Sequence, residues 1–260
     1  MCTVIVGVAP DADTSVALAV IRDEFLDRPW APPARHWPGH PGVIGGIDLR
    51  AGGTWLAADP AAPRVAVLLN GTGLPAPEEI RRSRGDLPLR AVMTGELPDT
   101  DLVRYDPFHL IVATPSGVRL WSWDGTDVTE DKLPEGVHVI LNSPWDRNRA
   151  ATATARHDGH GRTDERGTYF RPRFAAAPHP GALPGVTDPA GYWGEWLRLA
   201  SGADLDTTDP RALVVRREIG GQSPWGTSSI SLLALADRGL RYDFCPRPGD
   251  LAAWGSIVRP

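Results

Sequence analysis

The residue carrying the most chemistry in this sequence is Cys2, directly behind Met1. Methionine ahead of a small second residue is commonly removed, and its removal here would leave a thiol and a free α-amino group on one residue. In ordinary surroundings the amine titrates at about 7.7–8.0 and the thiol at about 8.5. The amine can then take the thiol's proton near neutral pH and later hand it to a leaving group, which is nucleophilic acyl-transfer chemistry. A nearby cation would raise the thiolate fraction. The plainer reading is a small apolar residue at the head of a strand.

A charged cluster is the natural companion of that thiol: Arg22-Asp23-Glu24-Phe25, with Asp27-Arg28-Pro29 just beyond. Residues 3–8 and 16–21 are apolar runs of strand length, the first strongly β-branched, joined by the hairpin loop Ala9-Pro10-Asp11-Ala12-Asp13. In such a hairpin the end of the second strand lies beside the start of the first, so Arg22 and Asp23 are expected next to Cys2. The arginine would stabilise a thiolate and the aspartate would orient the amine. A solvated cluster at a strand end is the alternative.

Other candidates carry less. Arg156-His157-Asp158-Gly159-His160 has histidines three apart, a metal-binding spacing, but no third ligand nearby, and reads as a solvated loop. His36 and His40 flank Trp37-Pro38-Gly39 and could line a mouth or ligate haem, although a tryptophan-proline loop packed over the core explains them as well. Cys245 has no partner, and Gly71-Thr72-Gly73 lacks the glycine, lysine and helix of a phosphate loop.

These residues need a scaffold. Further strands are expected at residues 53–57, 64–69, 109–113, 118–123, 137–141, 228–236 and 240–244, with glycines and prolines between them. Helices are expected at residues 77–82 and from Asp188-Pro189 through Trp193, Trp196 and Leu197. Residues 22–50 read as irregular, and residues 150–184 as a polar surface excursion. Many short strands with few helices point to an α+β arrangement of stacked sheets with helices outside. No repeat or linker divides residues 1–260, so one domain is expected.

A hydrophobic fraction of 42% supports a sizeable core, and 27 basic against 32 acidic residues argue against a nucleic-acid or anionic-membrane partner. Two cysteines are too few for a disulfide framework. The start is short and uncharged for a signal peptide, and no apolar run reaches the roughly 18 residues of a transmembrane helix. A cytoplasmic location is the resulting expectation, with no metal or other cofactor.

Taken in order, Met1-Cys2, then Arg22-Asp23-Glu24-Phe25 with Asp27-Arg28-Pro29, then residues 46–56 (GIDLRAGGTWL) resemble the NRDE, or transport and Golgi organisation, family. The segments Leu68-Leu69-Asn70, Ser83-Arg84-Gly85-Asp86-Leu87, Leu141-Asn142-Ser143-Pro144-Trp145 and Gly226-Thr227-Ser228-Ser229 are similar to later blocks of the same family. That family in turn resembles the bile-salt and penicillin-V acylases, which are cysteine N-terminal-nucleophile hydrolases with an αββα sandwich. The resemblance implies Cys2 as nucleophile, Arg22 as its activating neighbour and Asp23 (or Glu24) as positioner of the amine. It also implies Asn70 and Asn142 as amide donors at the reacting carbonyl, although an asparagine at a strand end is more often a turn residue. The asparagine that opens the NRDE motif is Ile21 here, and a late-strand arginine of the acylases has no counterpart near residues 226–229. The implied activity is hydrolysis of a C–N amide bond in a small acylated substrate. The rival is a non-catalytic haem- or lipid-binding protein using the same cleft.

Overall fold

The computed structural model describes residues 2–143, 165–181, 186–202 and 205–259. The first half runs β1 (Thr3–Val8), β2 (Val16–Phe25), β3 (Trp30–Ala34), β4 (Gly45–Asp48), β5 (Leu56–Asp59), β6 (Arg64–Asn70) and α1 (Leu87–Thr94). It continues through β7 (Phe108–Thr114), β8 (Gly117–Trp123), β9 (Val128–Leu133), β10 (Gly136–Ile140), α2 (Glu165–Ala176), α3 (Pro189–Trp193) and α4 (Glu195–Ala200). It closes with β11 (Arg216–Arg217), β12 (Trp225–Ala236), β13 (Gly239–Cys245) and β14 (Gly255–Val258).

Two antiparallel sheets result. One has the order β10-β1-β2-β12-β13-β14, with β11 on the end of β12, and the other the order β5-β6-β7-β8-β9. Strands β3 and β4 pair separately. Successive strand residues face opposite ways, and here both faces are covered. Val4, Val6 and Val20 meet Leu69, Ile111 and Leu120 of the other sheet in a core between the two. Ile5, Ala19 and Ile21 point outward and pack under Phe170, Phe174, Trp193 and Trp196 of α2, α3 and α4. On the opposite outer face Leu68, Leu110 and Val112 pack under Leu87 and Val92 of α1. The layers are therefore αββα. Burial on both faces is why β1 is apolar at nearly every position instead of alternating with polar residues.

Several elements differ from the sequence reading. Residues 77–82 do not form a helix. They make one turn, closed by Ile80 N–H to Pro77 O at 3.2 Å, because Arg82 is held extended by a bridge to Tyr105. The helix comes later, in α1, whose Leu87, Leu89, Ala91 and Val92 supply an apolar face. Strands β3 and β4 occupy part of the proline-rich stretch read as irregular. Strand β9 (VTEDKL) escapes apolar patterning because only Asp131 and Leu133 of this edge strand are buried. The helix expected from Asp188 is broken in two by Gly194, whose φ of 49° separates α3 from α4. Residues 165–176 form α2 instead of a surface excursion, since Arg166, Phe170 and Phe174 are buried against the first sheet. No described helix is long and apolar enough to cross a membrane.

A second wall faces the open end of the inter-sheet core. The segment after β4 and the 3₁₀ turn Arg84–Asp86 meet backbone to backbone: Thr54 N–H donates to Gly85 O at 2.9 Å. A Cβ on Gly53 would lie 2.6 Å from Gly85 Cα, and one on Gly85 would lie 2.9 Å from Gly53 Cα. Two of the sequence blocks thus each carry glycine because they touch each other. Gly53→Ala should lower stability by about 1–3 kcal/mol, the cost of forced overpacking. Gly42→Ala, where nothing lies within 4 Å of an added Cβ, should stay within about 0.5 kcal/mol. Denaturant melts of the two variants check this, and equal midpoints would refute the contact.

Candidate active site

The register of the first hairpin decides what meets what. Thr3 pairs with Ile21, Val4 with Val20, and so on to Val8 with Val16. Paired residues share a face, so Cys2 and Arg22, one step beyond the last pair, both continue the inner, inter-sheet face of Val4 and Val20. Ile21 lies on the outer face, buried under the helices, which explains an apolar residue where the family motif has asparagine. Asp23, two residues on, also turns outward.

Cys2 packs on the edge of the inter-sheet core and opens into a cleft of about 680 Å³, lined also by Arg22, Asp23, Asp48, Trp55, Asn70 and Arg84. The Cys2 main-chain nitrogen donates to Asn142 Oδ1 at 3.1 Å. Asn142 is itself fixed by Thr72 Oγ1, which donates to its carbonyl at 2.9 Å. Its neighbour Ser143 accepts through its carbonyl from His109 Nε2 at 3.0 Å, while His109 Nδ1 bonds Ser122 Oγ at 2.7 Å. Burial pushes the His109 imidazole below its usual range, so the ring is neutral at pH 7, protonated on Nε2. Asn142 therefore turns its oxygen to the Cys2 nitrogen, where sequence reasoning expected an amide donor at the reacting carbonyl. Asn70, exposed at the end of β6, does face the cleft.

Arg22 is nearly buried. Nη1 donates to Ser228 Oγ at 2.8 Å, Nη2 lies 3.5 Å from Asp48 Oδ2, and the guanidinium stacks 4.4 Å over the Trp55 ring. Asp48 is shared: Arg28 Nε donates to its Oδ2 at 2.6 Å, and the N–H groups of Arg50 and Ala51 donate to Oδ1. Desolvation would raise this carboxyl, but the Arg28 hydrogen bond and those N–H groups outweigh it and hold it below the usual carboxylate range.

Asp23 belongs to a second, buried network. Its Oδ2 accepts from Arg166 Nη1 at 2.9 Å and its Oδ1 from Thr227 Oγ1 at 2.8 Å. The same Arg166 nitrogen donates to Thr3 Oγ1 at 2.8 Å. Thr227 reaches Asp23 because β12 shifts register between Thr227 and Ser229 where it pairs with β2, and a one-residue slip swaps the faces of a strand.

Desolvation pushes the Cys2 thiol above its ordinary value. The charge of the terminal ammonium opposes this most, the Asp23 charge adds to it, and the Asp23 N–H and the Arg22 guanidinium oppose it. At neutral pH the Cys2 side chain is thus a thiol, not a thiolate.

The cleft gathers Cys2, Arg22 and Asn70, with Asn142 behind the Cys2 nitrogen; Asp23 lies at its edge, but its carboxylate is taken up by Arg166 and Thr227. Sequence reasoning missed Asp48, Trp55 and Arg84, all inside blocks already singled out, and Arg166, in a stretch with no apolar signal. His36 Nε2 donates to Pro32 O at 2.8 Å, and neither it nor His40 lines the cleft. The 156–160 histidine pair lies outside the described residues. Among the described residues no group of three His, Cys, Asp or Glu is arranged to hold a metal.

No curated protein matches the sequence. Solved structures that resemble the fold include the following two. One is the Caenorhabditis elegans ortholog of N-acylethanolamine-hydrolyzing acid amidase, with TM-score 0.35 and 15% identity, covering 58% of this chain and 74% of that one. The other is penicillin V acylase from Agrobacterium tumefaciens, with TM-score 0.46 and 13% identity, covering 98% of this chain and 86% of that one. At these scores neither likeness extends to function. The family model for Transport and Golgi organisation 2 matches residues 1–158, which hold Cys2, Arg22, Asp48, Asn70, Arg84 and Asn142, and the chain belongs to that family.

Proposed function

We propose that this chain is a cysteine N-terminal-nucleophile hydrolase that cleaves a C–N amide bond in a small acylated substrate. The observation that carries the reading is the inner-face pairing of Cys2 with Arg22 at an open cleft, with Asn142 Oδ1 3.1 Å from the Cys2 nitrogen. Once Met1 is removed that nitrogen is an α-amine, and Asn142 would orient it towards its own side chain. The amine takes the thiol proton, and sulfur attacks the carbonyl carbon. The oxyanion that develops is held by the Asn70 side-chain amide, a contact worth roughly 3–4 kcal/mol where such a donor is preorganised. Collapse breaks the C–N bond, and the amine returns its proton to the leaving nitrogen. Water, deprotonated by the same amine, then adds to the thioester, the C–S bond breaks, the amine returns that proton to the departing sulfur, and the acid leaves. Arg22 is the electrostatic partner of the thiolate, and the Asp23–Arg166 pair fixes the strand that carries it. Thioester substrates would follow the same route.

The raised thiol sets the pH behaviour. Acylation of Cys2 by an electrophilic acyl probe, mapped by mass spectrometry, should keep rising above about pH 8.5, where an ordinary cysteine begins to level. Intact mass should show loss of Met1, and Cys2→Ala should abolish both the adduct and turnover. Full turnover by Cys2→Ala, or retained Met1 in an active preparation, would remove this mechanism. A second outcome tests the arginine. Arg22 lowers the thiol's pKa, so Arg22→Met should move it further up. Labelling at pH 7 should fall roughly tenfold for each pH unit by which the thiol's midpoint rises, and should recover at higher pH. Asp48 keeps Arg28 as a partner in that variant, so the loss does not stem from an orphaned acid. An unchanged pH profile would show that Arg22 is only structural.

A further inference from the structure

The acids lining the cleft are mostly spoken for. Asp48 pairs with Arg28 and Arg22, Asp23 with Arg166, and Asp106 with Arg81. The remaining lining acid besides Glu24, Glu78, is exposed, and Glu24 lies 3.8 Å from both Arg22 and Arg28. The arginines are not all matched in return. Each buried arginine, namely Arg22, Arg166 and Arg241, has a carboxylate within 4 Å. Arg84 is half-buried in the cleft wall, yet no carboxylate lies that close among the described residues. Its Nη1 donates to Pro107 O at 2.6 Å, and its Nε and Nη2 groups have no protein acceptor among those residues. Arg82, exposed at the same rim, has no carboxylate within 4 Å among them either, while its main chain is pinned by a 2.7 Å bond to Arg104 O.

The mount is stiff. Arg84 opens the 3₁₀ turn capped by Ser83 and seated on Gly53, and its Nη1 is tied to Pro107 O, so the side chain is anchored at its backbone and at its tip. Arg84 and Cys2 line the same cleft; desolvation pushes the Arg84 guanidinium down, and Asp106 and an ionised Cys2 act the other way. A partly dehydrated, planar guanidinium with free N–H groups favours one kind of ligand, an oxyanion bound through parallel hydrogen bonds.

We infer that Arg84, flanked by Arg82, is a subsite for an oxyanion, carboxylate or phosphate, carried by the substrate of the Cys2 cleft. The inference deepens the hydrolase reading and rests on it for the identity of the ligand as substrate.

Three activated p-nitrophenyl acyl esters of one chain length test it, ending in methyl, carboxylate or phosphate. The acylation rate of Cys2 is read by mass spectrometry on the full-length protein. Wild type should be acylated at least tenfold faster by one charged probe than by the methyl probe, and the preferred probe identifies the anion. Arg84→Gln should bring that ratio close to one, Arg84→Lys should restore part of it, and Arg82→Gln should lower it by a smaller factor. Equal rates for all three probes in wild type, or an Arg84→Gln protein slowed equally on all three, would overturn the subsite. The second of these outcomes would make Arg84 a partner of the thiolate instead. Should no probe acylate Cys2, the hydrolase reading fails separately, and the subsite is judged by melting temperature. Adipate or inorganic phosphate should raise it in wild type and not in Arg84→Gln, and no rise with either anion would overturn the inference.

Discussion

The site depends on strand register at one end of one hairpin. Because Thr3 faces Ile21, four consecutive positions of β2 are dealt alternately to two environments: Val20 and Arg22 to the space between the sheets, Ile21 and Asp23 to the helical layer. A slip of one residue would put Arg22 under α2 and Ile21 in the cleft, which costs both a buried unpaired cation and an exposed apolar side chain. Both faces of β1 and β2 are apolar, so the slip is opposed by volume instead: Leu18 and Val20 would exchange places with Ala17 and Ala19. Side-chain volume along the second strand thus helps to fix a polar geometry just past its end.

Burying Arg22 is tolerable because its surroundings are built for it. The stretch from Asp48 to Trp55 supplies the carboxylate, the aromatic face and, through Gly53, the seat for the turn that carries Arg84. These contacts account physically for why blocks far apart in the chain occur together. Asp48 meets Arg22 and Arg28, Trp55 meets Arg22, and Gly53 meets Gly85. Each block is one wall of the cleft, and the wall fails if either neighbour is missing.

Much of this is legible in the residues. The first hairpin, the strand pairs and the approach of Arg22 to Cys2 follow from apolar runs of strand length and from turn chemistry. What is not legible has identifiable causes. Strand β9 is an edge strand whose Glu130 and Lys132 face water while the buried position between them is Asp131, so no apolar alternation shows. Helix α1 starts well after Pro77-Glu78-Glu79, whose proline and acids imitate a helix start, so the local signal points too far upstream. Helix α2, with Arg166, Arg171 and Arg173 interrupting its apolar residues, has no clean periodic stripe, and Arg166 is identified as a buried partner of Asp23 only by geometry. The turn of Asn142's oxygen to the Cys2 nitrogen is likewise a matter of side-chain orientation, which residue type alone does not determine.

The Asp23–Arg166 pair bears on the chemistry more than its place on the outer face suggests. A carboxylate beside a desolvated thiol raises the cost of the thiolate, and Asp23 does act in that direction on Cys2. The Asp23 N–H acts oppositely, so the same residue both helps and hinders the sulfur through different atoms. Arg166 forms an ion pair with that carboxylate on the outer face, where a cation offsets part of its charge. Arg166, Thr227 and Ser228 all come from beyond residue 158, where the family match ends. The later part of the chain therefore tunes the charge balance around a sulfur that the earlier part positions, and α2 belongs to the site electrostatically although it contributes no atom to its lining.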